Sequence, residues 1–364
     1  MRIIHCADLH LDSKLSANLD RERARQRRAE ILHTFQRMVA YAQEHEVDAI
    51  LIAGDLFDTK NISATARNTV LYEIENHPGL IFYYLRGNHD RDNFLSSLEE
   101  IPDNLKLFGS SWTTYECGGV TISGLELNEE NRGQAYLSLE LDTRKFNVVT
   151  LHGQESESRG KDKTEIIDLK QLRNKGIDYL ALGHIHSYKI EKLDARGEYC
   201  YPGCLEGRGF DECGEHGFVE LEIDEERGTY TREFKPFAKR RLYAIEVDVT
   251  GCETSVEICK KVENELEKEG CEPESMMKII LIGSLDISCE KDVPYVRSRF
   301  EESYYDIKVE DKTTLKINVE DYLLDESLKG EFVRQVSRDE ALSEEDRAIV
   351  IRYGLKALAG EEVE

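Results

Sequence analysis

The sequence predicts an α/β protein carrying a second, smaller α+β unit, and three observations predict it. Apolar strand-like runs alternate with helical patterns through about residue 190. Five of those runs lead directly into short polar blocks of Asp, Asn and His, and strand ends are where an α/β sheet presents its functional loops. A shorter alternating pattern begins again after the junction KPFAKRR, residues 235–241.

Each element follows from local pattern. Residues 2–7 (RIIHCA) read as a strand. Residues 21–45 read as a helix, because Ile31, Leu32, Phe35, Met38, Val39 and Ala42 recur near 3.6 spacing. Residues 47–53 form the next strand, and a helix over 63–76 follows with Ser63 as its cap. Further strands end at Arg86, Gly109, Leu127, Leu151 and Leu182. Beyond residue 190 the segments EYCYPGC, HGFVELEID and TYTREFK have the look of hairpins and are expected to close a second sheet. LYAIEVDV opens the smaller unit as a strand. Thr254 and Glu257 have capping-box spacing ahead of the helix SVEICKKVENELEKEG. MMKIILIGSL, VPYVRSRFEESY and YDIKVEDKTTLKINV complete a βαβαβ-like order. The expected domains are 1–237, 238–320 and a charged helical tail, 321–364, whose best amphipathic stretch is SEEDRAIVIRYGLKAL.

Composition narrows the classes. With 364 residues the chain is long for one domain, and 40% hydrophobic content can build a core. No apolar run approaches the roughly 18 residues of a membrane helix. The N-terminus enters a strand without a charged leader, so a cytoplasmic location is expected. Nine scattered cysteines, an odd number, suit reduced thiols. Cys200, Cys204, Cys213 and His216 are close in sequence, but their spacing fits no common zinc pattern and buried or idle thiols are the better reading. His5 is read as a packed core histidine; His33, His45, His77 and His216 are read as surface groups. A net charge of -25 argues against broad electrostatic adhesion to DNA. It does not exclude a nucleic-acid substrate, because two divalent ions make a pocket locally cationic.

The five blocks are Asp8-Leu9-His10, Gly54-Asp55-Leu56-Phe57-Asp58, Gly87-Asn88-His89-Asp90, His152-Gly153 and Gly183-His184-Ile185-His186. Each alone has an ordinary reading as a polar turn. Together they would bring two Asp, one Asn and three or four His to one rim, too many ligands for one ion and suited to two. Asp and His bind borderline divalent ions such as manganese, iron or zinc. In Asp8-x-His10 the two side chains share a face and can reach one ion. Asp55 has two oxygens with which to bridge a pair, and the neutral Asn88 limits negative charge. His152, His184 and His186 complete the shell. Two ions about 3.5–4 Å apart can activate a water and clamp a phosphate. His89 has no metal role beside Asn88, and is read as the group that protonates the departing oxygen or stabilises phosphoryl charge. Asp58 is read as the carboxylate that orients His89.

These blocks resemble the calcineurin-like metallophosphoesterase superfamily. Within it, HCADLHLDS, LIAGDLFDT, LRGNHDR and LALGHIHSYK are similar to SbcD-type DNA-repair exonucleases, and YPGCLEGRGFDECGEHG with KRRLYAIEVDVTG is similar to the YhaO-like bacterial subgroup. The likeness covers residues 1–240 well and is looser beyond 250. It implies a four-layer α/β/β/α sandwich with a small capping domain, two Mn2+ ions and phosphodiester hydrolysis on DNA. It implies that Asp8, His10, Asp55 and His186 hold one ion, that Asp55, Asn88, His152 and His184 hold the other, and that His89 is the catalytic histidine. Archaeal relatives carry a histidine where this chain has Asp58. Bacterial members and protein phosphatases show Asp there, so activity is still expected, while strand polarity could differ.

The implied function is a DNA exonuclease acting at DNA ends in double-strand-break repair with an SbcC-like coiled-coil ATPase. Homodimer formation is a further expectation. Arg86, Arg91, Arg159 and Arg208, beside metal blocks or in a Gly-rich loop, are the substrate-contact candidates, with Lys161 near Arg159. The run Arg21, Arg23, Arg25, Arg27 and Arg28 has two equal readings, phosphate binding or a solvated helix face. Trp112 and Tyr115 suit core packing better than base stacking. Segment 345–358 reads either as a docking helix that offers Ile349, Ile351 and Leu355 to the partner or as a helix packed on the cap. Two alternatives remain: hydrolysis of a nucleotide or phosphoprotein, and a DNA-end-binding scaffold. A scaffold would be expected to lose ligands, and this chain keeps them.

Overall fold

A computed structural model describes residues 1–15, 19–58, 62–90, 94–156, 166–286, 289–316, 322 and 324–359. The chain divides into two compact units, Met1–Arg241 and Leu242–Glu364.

The first unit runs β1 (Arg2–Cys6), α1 (Arg21–Glu44), β2 (Ala49–Ala53), α2 (Ala64–Asn76), β3 (Ile81–Leu85), β4 (Leu105–Leu107), β5 (Thr113–Cys117), β6 (Val120–Gly124), α3 (Arg132–Ala135), β7 (Phe146–His152), β8 (Gln154–Glu155), β9 (Ile166–Ile167), α4 (Leu169–Leu172), β10 (Tyr179–Gly183), β11 (Lys189–Lys192), β12 (Glu198–Tyr201), β13 (Gly217–Asp224) and β14 (Thr229–Pro236). Helix starts match their caps. Asp20 accepts hydrogen bonds from the Glu22 and Arg23 backbone N–H groups, and Ser63 accepts one from Ala66 N–H. The apolar stripe of α1, with Ile31, Phe35, Met38, Val39 and Ala42, is buried.

Two six-stranded sheets result, ordered β14-β13-β1-β2-β3-β4 and β11-β12-β10-β7-β6-β5. Strands β1 to β4 are parallel in the first sheet, as are β12, β10, β7 and β6 in the second. One core cluster takes alternate residues from both: Ile3, Leu51, Tyr83 and Leu221 from the first sheet, Ile122, Val148, Tyr179 and Ala181 from the second. The sheets therefore pack face to face. The opposite residues of the second sheet, Val149, Leu151, Leu180 and Leu182, pack against Tyr136, Leu139, Leu169 and Leu172. Covered on both faces, the parallel strands read as unbroken apolar runs. This is the α/β/β/α order expected.

The late segments divide between the sheets: β11 and β12 extend the second sheet, as expected, but the β13–β14 hairpin instead closes the open edge of β1 in the first. Alternation marks a strand but not its partner. One expectation for a histidine is corrected. His216 is buried, not a surface group, bonded through Nε2 to the Glu212 carbonyl at 2.8 Å. His5 is buried as expected, with Nδ1 2.9 Å from the Tyr179 hydroxyl. All nine cysteines are free. Cys213 is exposed with its thiol on the Phe210 carbonyl, so the four-residue Cys/His grouping is not assembled.

The second unit contains β15 (Leu242–Asp248), α5 (Ser255–Glu269), β16 (Met276–Ile282), β17 (Ser284–Asp286), α6 (Val293–Phe300), β18 (Asp306–Asp311), β19 (Thr314–Lys316), α7 (Leu328–Ser337) and α8 (Glu344–Ala359). β15, β16 and β18 form a parallel three-stranded sheet. The Thr254 hydroxyl accepts from Glu257 N–H, while the Glu257 carboxylate accepts from Glu253 N–H, so the capping-box spacing is realised with a one-residue offset. Ile351 and Leu355 of α8 are buried with Val333 of α7; Ile349, Val350, Tyr353 and Leu358 stay exposed. Among the described residues no helix is long and apolar enough to cross a membrane.

Candidate metal centre

The carboxyl ends of β1, β2, β3, β7 and β10 bring all five blocks to one place in the first unit. The loops after β1 and β2 are zipped together: Asp8 N–H donates to Gly54 O at 3.0 Å, His10 N–H to Asp55 O at 3.0 Å and Leu11 N–H to Leu56 O at 2.9 Å. Asp8, His10, Asp55 and His184 all hold positive φ, at 51°, 44°, 53° and 102°. Side chains avoid that region, at a cost of about 1–3 kcal/mol each, and such residues concentrate at functional sites.

Asp8 and Asp55 are almost wholly buried, 0% and 1% exposed. Both Asp8 oxygens accept from the His184 backbone N–H, at 3.0 and 2.9 Å. Asp55 Oδ1 accepts from His89 N–H at 2.9 Å. Its Oδ2 lies 3.3 Å from His152 Nε2 and 3.9 Å from His10 Nε2, between the two groups of imidazoles. His152 Nδ1 is 2.9 Å from the Ala53 carbonyl, which places the proton on that nitrogen and turns Nε2 inward, 3.0 Å from Asn88 Oδ1. The His184 ring stands edge-on to His152 at 5.5 Å. On the other side His10 Nε2 and His186 Nε2 face each other at 3.2 Å.

Those distances test whether divalent cations fit. Two buried carboxylates and the inward nitrogens of several imidazoles converge, and two imidazole lone pairs 3.2 Å apart oppose each other unless a proton or cation lies between them. Asp8, His10 and His186 have ligand atoms within 4.8 Å of one another, as do Asp8, Asp55 and His152, and His10, Asp58 and His89. Borderline divalent ions match that donor set. The electrostatics agree. Burial pushes the Asp55 carboxyl up, yet its hydrogen bond and charge contact with His152, helped by His10, hold it well below the usual carboxylate range. Burial pulls His152 down, but Asp55 overrides it and raises the imidazole to about 9.

His89 is half exposed at the rim, with Nδ1 3.4 Å from Asp58 Oδ1. The same oxygen lies 3.2 Å from His10 Nδ1 and 3.4 Å from Arg208 Nη1. Burial pushes Asp58 up, and His10, Ser13 and Arg208 pull it below its ordinary value. Of the substrate-contact candidates that the structure describes, Arg208 alone sits in the cage, and it is held by carboxylates. The Arg86 guanidinium makes a two-pronged bond with Glu126, at 2.7 Å on each prong. Arg91, Arg159 and Lys161 lie outside the described residues. In the basic run Arg27 is buried against Glu206 at 2.5 Å, and Arg28 donates to the Lys14 carbonyl. Trp112 donates to Ala135 O and Tyr115 to Leu107 O.

Two residues escaped sequence reasoning. Asp90, given no role there, accepts from the backbone N–H groups of Leu56, Phe57 and Gly87, tying the second block to the third. Burial and the Asp55 charge raise it to about 6. Glu212 lies far down the chain and contacts His186 Nδ1 at 2.6 Å. No residue pattern flags it, since its partner is 26 positions away.

Residues 1–188 match the family described as calcineurin-like phosphoesterase. The chain is 27% identical over 283 residues to the uncharacterized metallophosphoesterase YhaO of Bacillus subtilis (strain 168), covering 74% of this chain and 68% of YhaO. It is 28% identical over 205 residues to the DNA double-strand break repair protein Mre11 of Sulfurisphaera tokodaii, covering 53% of this chain and 51% of that one. It is 25% identical over 272 residues to the SbcD component of the nuclease SbcCD of Escherichia coli (strain K12), covering 61% of this chain and 64% of SbcD. The chain thus spans between 51% and 68% of the length of these relatives.

Proposed function

The chain belongs to the calcineurin-like phosphoesterase family, and from that premise we propose that it is a two-metal DNA nuclease, an exonuclease that uses manganese and works at DNA ends with an SbcC-like ATPase. One observation carries the reading: a single buried carboxylate oxygen, Asp55 Oδ2, stands 3.3 Å from one inward imidazole nitrogen and 3.9 Å from another, so Asp55 would be able to serve both ions. Asp8, His10, Asp55 and His186 would hold one ion; Asp55, Asn88, His152 and His184 would hold the other. Bound there, the ions would make water acidic and offset phosphoryl charge.

The chain's own groups do the rest. The Ala53 carbonyl and the Asp8 carboxylate fix His152 and His184 before substrate arrives. His89 projects from the rim with its Nδ1 toward Asp58, which leaves Nε2 as the nitrogen that would give a proton to the departing oxygen. The DNA and ATPase parts of the reading rest on the Mre11 and SbcD likenesses. The smaller unit is proposed as the cap, and the exposed apolar residues of α8 as the docking face for the ATPase.

The test is hydrolysis of labelled linear duplex and single-stranded DNA with Mn2+ or chelator, beside a nucleotide and a phosphopeptide. Manganese-dependent release of nucleotides from DNA ends supports the reading. Turnover of only the nucleotide or phosphopeptide would move the substrate elsewhere, and binding of ends without hydrolysis would favour a scaffold.

A further inference from the structure

We propose that Glu212 is a positioning residue that sets the His186 imidazole for its cation and holds Arg208 as a strut of the cage; this rests on the two-metal reading above. Glu212 lies in the irregular segment between β12 and β13, with its side chain 6% exposed. Its Oε1 is 2.6 Å from His186 Nδ1 and accepts from Arg208 Nη2 at 2.9 Å. Its Oε2 accepts from the Arg208 backbone N–H at 2.7 Å. A carboxylate on Nδ1 keeps a proton on that nitrogen and leaves the Nε2 lone pair free. That Nε2 faces His10 Nε2 at 3.2 Å, and the two nitrogens would hold one cation together.

Arg208 passes the constraint across the site. Its Nη1 lies 3.4 Å from Asp58 Oδ1, and Asp58 in turn faces His10 Nδ1 and His89 Nδ1. One line of alternating charge, Glu212 to Arg208 to Asp58, has a candidate ligand at one end and the exposed histidine at the other. The guanidinium is thus held between two carboxylates, Glu212 and Asp58.

The segment carrying Glu212 is itself pinned. The Glu212 carbonyl accepts from His216 Nε2 at 2.8 Å, and Cys204 N–H donates to the His186 carbonyl at 3.1 Å. Upstream, Glu206 is buried against Arg27 at 2.5 Å and Thr34 at 2.6 Å. A carboxylate anchored this way reaches His186 already oriented, as a precise site requires.

A merely structural Glu212, there to neutralise Arg208, predicts something different: its loss would lower stability equally with and without cation. The experiment therefore measures thermal unfolding of the full chain in chelator and in saturating Mn2+, together with calorimetric Mn2+ titration and Mn2+ electron paramagnetic resonance. For Glu212→Ala we expect one of two ions to bind about 10- to 100-fold more weakly. The Mn2+-induced rise in melting temperature should shrink with it, and the spectrum should pass from a coupled pair to an isolated ion. Glu212→Gln should fall between, because its amide oxygen can still accept from Nδ1–H. If the alanine variant does not fold, the glutamine variant is held to the same criterion. Unchanged affinities and a retained coupled pair overturn the proposal, whatever the melting temperature in chelator does. A wild-type protein that binds no ion pair removes the two-metal reading and this inference with it, before any substitution is made.

Discussion

Gly54→Ala offers a steric test of the cage, since the substitution adds one methyl group and changes no ligand. A Cβ at position 54 would stand 2.1 Å from His152 Nδ1, 2.6 Å from Cγ and 2.9 Å from Cε1. Ordinary contact begins near 3.4 Å, so the ring would have to retreat by more than an ångström. It has little freedom to do so, with Nδ1 2.9 Å from Ala53 O and Nε2 3.0 Å from Asn88 Oδ1. The backbone does not yield readily either, because Gly54 has φ +97°, where a side chain adds strain of about 1–3 kcal/mol. Metal ligation tolerates only about 0.2 Å of displacement, and a misplacement of about 1 Å can cost roughly 100-fold in rate. We expect Gly54→Ala to lower Mn2+-dependent phosphodiester hydrolysis by at least about 100-fold. Calorimetry should show one ion weakened, and chemical denaturation in chelator a loss of about 1–3 kcal/mol. Wild-type turnover with two undiminished Mn2+ affinities would refute the placement of His152 against this loop.

Three further outcomes follow from the same geometry. His89→Asn should lower turnover by about 100- to 10,000-fold while both Mn2+ ions still bind; a parallel loss of metal affinity would make His89 a ligand instead. Asp55→Asn should abolish ion-pair binding and hydrolysis together, and a bound pair seen by elemental analysis would sink the bridging assignment. The third concerns protons. In the metal-free protein His152 is raised from 6.5 to about 9, so its stabilising contribution is full below 6.5 and is lost as pH rises through about 9. Asp55 is depressed below 3.8, so its contribution is present above 3.8 and is lost as pH falls through the lower folded value. For this pair the metal-free protein is most stable between those limits. Since a ligating imidazole nitrogen must be unprotonated, Mn2+ binding near neutral pH should release protons. Titrations in two buffers of different ionisation enthalpy should give different apparent heats, and identical heats would contradict it.

The sequence by itself determined the main strands, the helix caps and the polar blocks from which the candidate site is built. Unbroken apolar runs such as AILIA mark strands covered on both faces, Ser63 and Thr254 announce helix starts, and each ligand block directly follows its strand. Those signals are local in the chain, so they survive without coordinates. The tertiary structure decided what depends on distance across it. It set the sheet that each late hairpin joins, the burial of Ile351 and Leu355 against α7, and the withdrawal of Arg27, Arg86 and Arg208 into ion pairs with carboxylates. It also decided Asp90 and Glu212, whose meaning comes from three backbone N–H groups and from one imidazole. Periodicity records which face of an element is apolar. It does not record which opposite charge folding will bring within hydrogen-bond reach, so the carboxylate partners of these arginines appear only in the folded chain.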